Sequence, residues 1–167
     1  MNSEKYREIQ AQVNDGDARR NAGEWGEAKI CYLRALEEFN SIREIDPDAP
    51  MTAEQVDLQK TINARIEDVN NHLATVHLDK GRAAMGNKVW QLAIDELEEA
   101  TRLAKDDNIT FLEEVKVLLD KSRNKHRDAM MRLELNPFVE RGDDFKRSGN
   151  FGEAILEYQE AIKKAAG

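Results

Sequence analysis

With 167 residues, 40% of them hydrophobic and 35% charged, the chain suits one water-facing globular domain. Its formal net charge of −8 argues against a general nucleic-acid binder and against an anionic membrane surface, since both need a basic face. It is compatible with a basic protein partner, although such a balance often serves only solubility. A single cysteine, Cys31, excludes an internal disulfide. No apolar run approaches the ~18 residues of a membrane span. The opening Met-Asn-Ser-Glu-Lys-Tyr-Arg-Glu lacks the apolar stretch of a secretory signal, so a cytoplasmic protein is expected.

Three prolines and abundant Ala, Glu, Leu, Lys and Arg favour helix throughout. The first two helices are expected near residues 3–23 and 25–45. They meet at Gly23, which suits the positive φ of a helix C-terminus, and Trp25 then opens the second helix. After Asp46-Pro47-Asp48-Ala49-Pro50, Thr52-Ala53-Glu54-Gln55 has the pattern of a capping box. Ile62, Ile66, Val69, Leu73 and Val76 follow at alternating spacings of four and three, a heptad seam. One helix over 53–86 is predicted, about 50 Å long.

A fourth helix is expected near 88–105. Thr110-Phe111-Leu112-Glu113 then reads as a second capping box. Leu112, Val115, Leu119, Ser122, His126, Ala129 and Leu133 continue the three-four spacing, weakened at Ser122 and His126. Asn136-Pro137 is expected to end or kink this helix, 109–135 continuing to 148, ahead of the last helix at 150–166. The two seams could close inside the molecule or across a homo-oligomer. Antiparallel neighbours on short loops favour the first.

The chain also repeats. Counting from Gly16, Gly81 and Gly142, the aromatics Trp25, Trp90 and Phe151 stand nine residues on. Ala28, Ala93 and Ala154 stand twelve on, Tyr32, Leu97 and Tyr158 sixteen on, and Ala35, Ala100 and Ala161 nineteen on. Gly23 and Gly149 stand seven on, with Lys88 breaking the pattern in the middle copy. Val13, Asp17, Gly26 and Glu27 recur as Val139, Asp143, Gly152 and Glu153. Glycine inside a helix costs roughly 1 kcal/mol against alanine, so its presence here points to close approach by a second helix.

This pattern resembles the tetratricopeptide repeat. The resemblance implies an all-α fold of helical hairpins in an α-α superhelix, with units near 8–45, 73–105 and 134–166 in a single domain. Two elongated connecting helices, near 53–72 and 109–135, depart from the family. So do origins 65 and 61 residues apart, which fit no multiple of the usual ~34. The family's groove, lined by the first helix of each pair, implies ligand contacts at Val13, Asp17, Arg20 and Asn21. The second copy offers Leu78, Arg82 and Met85, and the third Val139, Asp143, Lys146 and Arg147. A peptide carrying basic and apolar groups fits that set. The lysine and asparagines with which one subfamily clamps a terminal carboxylate are replaced by Val13, Leu78 and Val139 and by Asp17, Arg82 and Asp143.

Nothing in the sequence suggests catalysis, a metal or a cofactor. His72 and His77 stand five apart, whereas two ligands on one helix face need three or four, and both are expected to be exposed. Cys31 reads as a small packing residue with no basic motif to activate it. The run Asp95, Glu96, Glu98 and Glu99 reads as a solvated helix face. No phosphate loop, dinucleotide fingerprint, nucleophile elbow or calcium loop occurs. The expectation is a non-enzymatic scaffold or adaptor that binds a protein or peptide. Its alternatives are a self-associating structural protein and a small acidic secretion-type chaperone.

Overall fold

The structure, a computed structural model, describes residues 3–45, 50–105 and 108–166. Six helices occupy almost all of it: α1 (Ser3–Asn21), α2 (Trp25–Ile45), α3 (Ala53–Gly86), α4 (Trp90–Leu103), α5 (Ile109–Arg147) and α6 (Phe151–Ala165). No strand occurs among the described residues. Three hairpins, α1–α2, α3–α4 and α5–α6, stack so that helices meet chiefly their neighbours in sequence. The proline turn at residues 46–49 and the acidic pair at 106–107 lie outside the described residues.

Each hairpin closes with the same backbone device. The amide of Gly23 donates to Arg20 O at 3.0 Å and that of Glu24 to Arg19 O at 2.9 Å. Gly149 and Asn150 repeat this on Lys146 and Phe145, and Lys88 and Val89 on Met85 and Ala84. This is a Schellman turn, which needs a left-handed residue at its centre. Gly23 and Gly149 supply it at φ 80° and 81°, and Lys88 is driven to φ 60°. The middle copy therefore keeps the turn without its glycine.

The glycines inside the helices admit the partner helix. A Cβ on Gly16 would fall 2.5 Å from Tyr32 Cε1, and one on Gly142 2.5 Å from Tyr158 Cε1. On Gly81 it would fall 2.8 Å from Leu97 Cγ. Ala28, Ala93 and Ala154, with Ala35, Ala100 and Ala161, are buried along the same interfaces.

The long helices serve twice. The first half of α3 covers hairpin one, and its second half is the first helix of hairpin two; α5 does the same one step along. Ile9, Val13, Ala28, Tyr32, Ala35 and Phe39 of hairpin one thus share a core with Leu58, Ile62 and Val69 of α3, edged by Ile66 and Leu73. Full burial of such side chains stabilises by about 1.5–3 kcal/mol each. In the second core Leu78, Leu97 and Ala100 meet Val115 of α5, with Met85, Phe111, Leu118 and Leu119 around them. Both heptad seams thus contribute to cores inside the molecule.

Local expectations fared differently. The Thr52 capping box forms, with Gln55 N donating to Thr52 Oγ1 and Thr52 N to Gln55 Oε1. The second box does not. Leu112 N bonds Asn108 O, so α5 begins at Ile109 and Thr110 already lies within its first turn. Pro137 does not end α5, which runs unbroken through it. Ring and missing donor fall on a stretch whose outer side chains, Met130, Met131 and Leu133, are exposed.

Candidate functional site

The three hairpins present the same face, and comparing what lies on it locates the candidate site. On hairpin one the face is filled by α3. Tyr32 Oη donates to Asp17 Oδ1 at 2.7 Å, and the Arg65 guanidinium lies 2.9 Å from the same carboxylate. Arg20 pairs with Asp68 at 2.8 Å. The rings of Trp25 and His72 stack at 3.7 Å with 14° between their planes. Burial, and then the bond to Asp17, push the Tyr32 phenol well above its ordinary value.

On hairpin two the face is filled by α5. Arg82 binds Asp79 at 3.1 Å and also Glu114 of α5. Arg123 of α5 pairs with Glu98 at 2.8 Å. Ile94 is buried. Its counterparts by position are Lys29 in hairpin one and Ile155 in hairpin three.

On hairpin three no described helix fills the face. Its interior matches hairpin one closely: Tyr158 Oη donates to Asp143 Oδ1 at 2.6 Å, as Tyr32 does to Asp17. The outward positions differ in what covers them, and some differ in residue as well. Val139 is 40% exposed where Val13 is 1%, and Phe151 is 64% exposed where Trp25 stacks on His72. Ile155 and Ile162 are 55% and 68% exposed. On α5 an open depression of about 400 Å³ is lined by Asp143, Lys146 and Arg147. Arg147 pairs with Asp144 at 2.6 Å, whereas the Lys146 ammonium has no partner among the described residues.

The residues expected to face a ligand therefore have unequal fates. Val13 and Leu78, expected on an exposed groove, are instead enclosed in the two cores, because the following helix lies over each. Met85 is half-buried on the second core. Asp17, Arg20 and Arg82 are held in ion pairs with the covering helices, and Asn21 is exposed at the end of α1. Val139, Asp143, Lys146 and Arg147 are all exposed on the third hairpin. Sequence reasoning missed Phe151, Ile155 and Ile162 beside them. The seven-residue step from Ile155 to Ile162, on one helical face, was the available signal.

Two histidines, the acidic run of α4 and the cysteine have structural partners. His72 and His77, expected to be exposed, are half-buried: one stacks on Trp25 and the other bonds Glu96 through Nδ1 at 2.7 Å. Glu98 and Glu99 pair with Arg123 and Arg102, and Asp95 accepts from Gln91. Cys31 donates to Asp15 at 3.2 Å; burial, and then that bond, raise its pKa and keep it a thiol. Among the described residues no group of three or more His, Cys, Asp or Glu could hold a metal ion, and no helix is long and apolar enough to cross a membrane.

Stacked helical hairpins with one face open define an all-α hairpin-repeat protein. Comparison with protein-family models, with curated proteins and with solved structures gives no match.

Proposed function

We propose that this protein is a non-enzymatic protein-interaction scaffold of the tetratricopeptide kind, and that its binding surface is the open face of hairpin three. One observation carries the reading. The face that α3 fills on hairpin one, and α5 on hairpin two, presents Val139, Phe151, Ile155 and Ile162 to solvent on hairpin three. A contiguous apolar face rimmed by charge is the usual mark of an interaction site. The partner covers α5 and α6 together, in place of a peptide threaded past all three first helices.

The self-assembling alternative loses the support of its first seam and of the start of its second, while Leu133 of the second stays exposed. Ile62, Ile66, Val69 and Leu73 of the first seam are engaged with hairpin one, and Val115 of the second is buried in the second core.

The test is crosslinking in native lysate, comparing the natural chain with an Ile155→Glu, Ile162→Glu variant. The scaffold reading expects a protein crosslinked through residues 139–164 of the natural chain and lost from the variant. Recovery of the same crosslinks from both would count against it.

A further inference from the structure

The repeated hairpin also specifies the chemistry of what binds it. Resting on the scaffold reading above, we infer that the open face of hairpin three takes an amphipathic helix that places a basic residue opposite Asp143 and, three residues on, an acidic residue opposite Lys146.

Hairpins one and three share their interior geometry: a Cβ placed on Gly16 or on Gly142 would fall 2.5, 2.8 and 2.9 Å from the same three ring atoms of Tyr32 or Tyr158. They also share charges, since Asp17 and Arg20 of the first stand where Asp143 and Lys146 stand in the third. On hairpin one the occupant is known. It is the first half of α3, which sets Arg65 against Asp17, Asp68 against Arg20 and His72 on Trp25. Interleaved with and flanking these residues, Ile62, Ile66, Val69 and Leu73 pack into the core. Because Arg65 precedes Asp68 as Asp17 precedes Arg20, α3 runs in the same direction as α1.

Transferred to hairpin three, this geometry brings a base to Asp143, an acid to Lys146 and a flat ring to Phe151. The aliphatic row would cover Val139 and Ile162, as it covers Val13 and Leu36 on hairpin one. Electrostatic complementarity fixes register and rejects helices with the charges reversed. The apolar row supplies the burial. An acidic peptide without the base is disfavoured, because it would set a second carboxylate against Asp143.

The molecule contains its own probe. A labelled synthetic peptide of residues 53–76, the covering half of α3, is titrated into the full chain and followed by fluorescence anisotropy. The inference expects saturable binding that weakens about tenfold or more in an Asp143→Lys, Lys146→Glu protein, as two opposed charge contacts imply. A peptide with Arg65→Glu and Asp68→Lys should restore binding to that protein and bind the natural one poorly. Both exchanged side chains are exposed, and an unchanged melting curve confirms that the variant folds.

Equal binding to the natural and exchanged proteins would overturn the inference, as would no binding to either. Self-association of the chain that the exchange abolishes would assign the face to a second copy and overturn it equally. A native partner that still crosslinks to hairpin three while the charge exchange changes nothing would sink this inference alone and leave the scaffold reading standing.

Discussion

The hydroxyl of Tyr158 lies 2.6 Å from a carboxylate oxygen of Asp143 and donates to it. Tyr32 and Asp17 do the same at 2.7 Å, 126 positions earlier in the chain. The surroundings separate the pairs. Burial is the leading cause of the raised Tyr32 pKa, whereas for Tyr158 the bond to Asp143 leads.

Both phenols are thus held protonated beyond the ordinary value of about 10. A group whose folded pKa is raised adds stability that is complete below the unfolded value and disappears as pH climbs through the folded one. As far as these phenols are concerned, urea midpoints should therefore not vary with pH around neutrality and should fall as pH rises past about 10. Tyr32→Phe should flatten that alkaline fall, and a Tyr158→Phe variant should flatten it less.

Gly16→Ala and Gly142→Ala make the same local change in two settings. Alanine gains roughly 1 kcal/mol of helix propensity but collides with a tyrosine ring, and overpacking typically costs about 1–3 kcal/mol. Tyr32 is enclosed, so Gly16→Ala should be destabilising on balance. Tyr158 borders solvent and can swing aside, so Gly142→Ala should be near neutral. Denaturant midpoints of the two variants decide it, and an equal loss in both would contradict this reading.

Lys88 occupies the left-handed position that glycine takes in the other two turns. An L side chain there costs roughly 1–2 kcal/mol, partly offset by the entropy glycine adds to the unfolded chain. Lys88→Gly should raise stability by about 0.5–1 kcal/mol. Gly149→Ala should lower it by a similar amount. Thermal melts would register both.

Cys31 should react slowly with a thiol reagent at mildly alkaline pH, since burial and Asp15 keep it protonated. Asp15→Asn should speed the reaction a few-fold by removing the smaller cause. Full speed should require unfolding. Free-thiol kinetics in the folded state would contradict the placement of Cys31.

Much of this architecture was legible in the residues. The six helices follow from glycine, proline and Thr52-Gln55 punctuation, and the hairpins from small residues repeated in one register. The seams of Ile62 to Leu73 gave the inward face of α3. What spacing withholds is the identity of the covering element. Val13 and Val139 are the same residue in the same local pattern, yet one is buried under α3 and the other is exposed. Asn108 and Pro137 show a second gap: where a helix starts, or whether it runs through proline, depends on packing beyond the local pattern. The candidate surface depended on that missing neighbour, so it emerged only when the hairpins were compared in space.

The central claim is that hairpin three repeats hairpin one with no described helix lying over its face, and hydrogen exchange of the purified protein tests it most directly. Amides of residues 154–162 in α6 should exchange far faster than their counterparts at 28–36 in α2, because local opening is easier where few apolar contacts are buried. Equal protection of the two segments would contradict the account, since it would mean that the face of hairpin three is already covered.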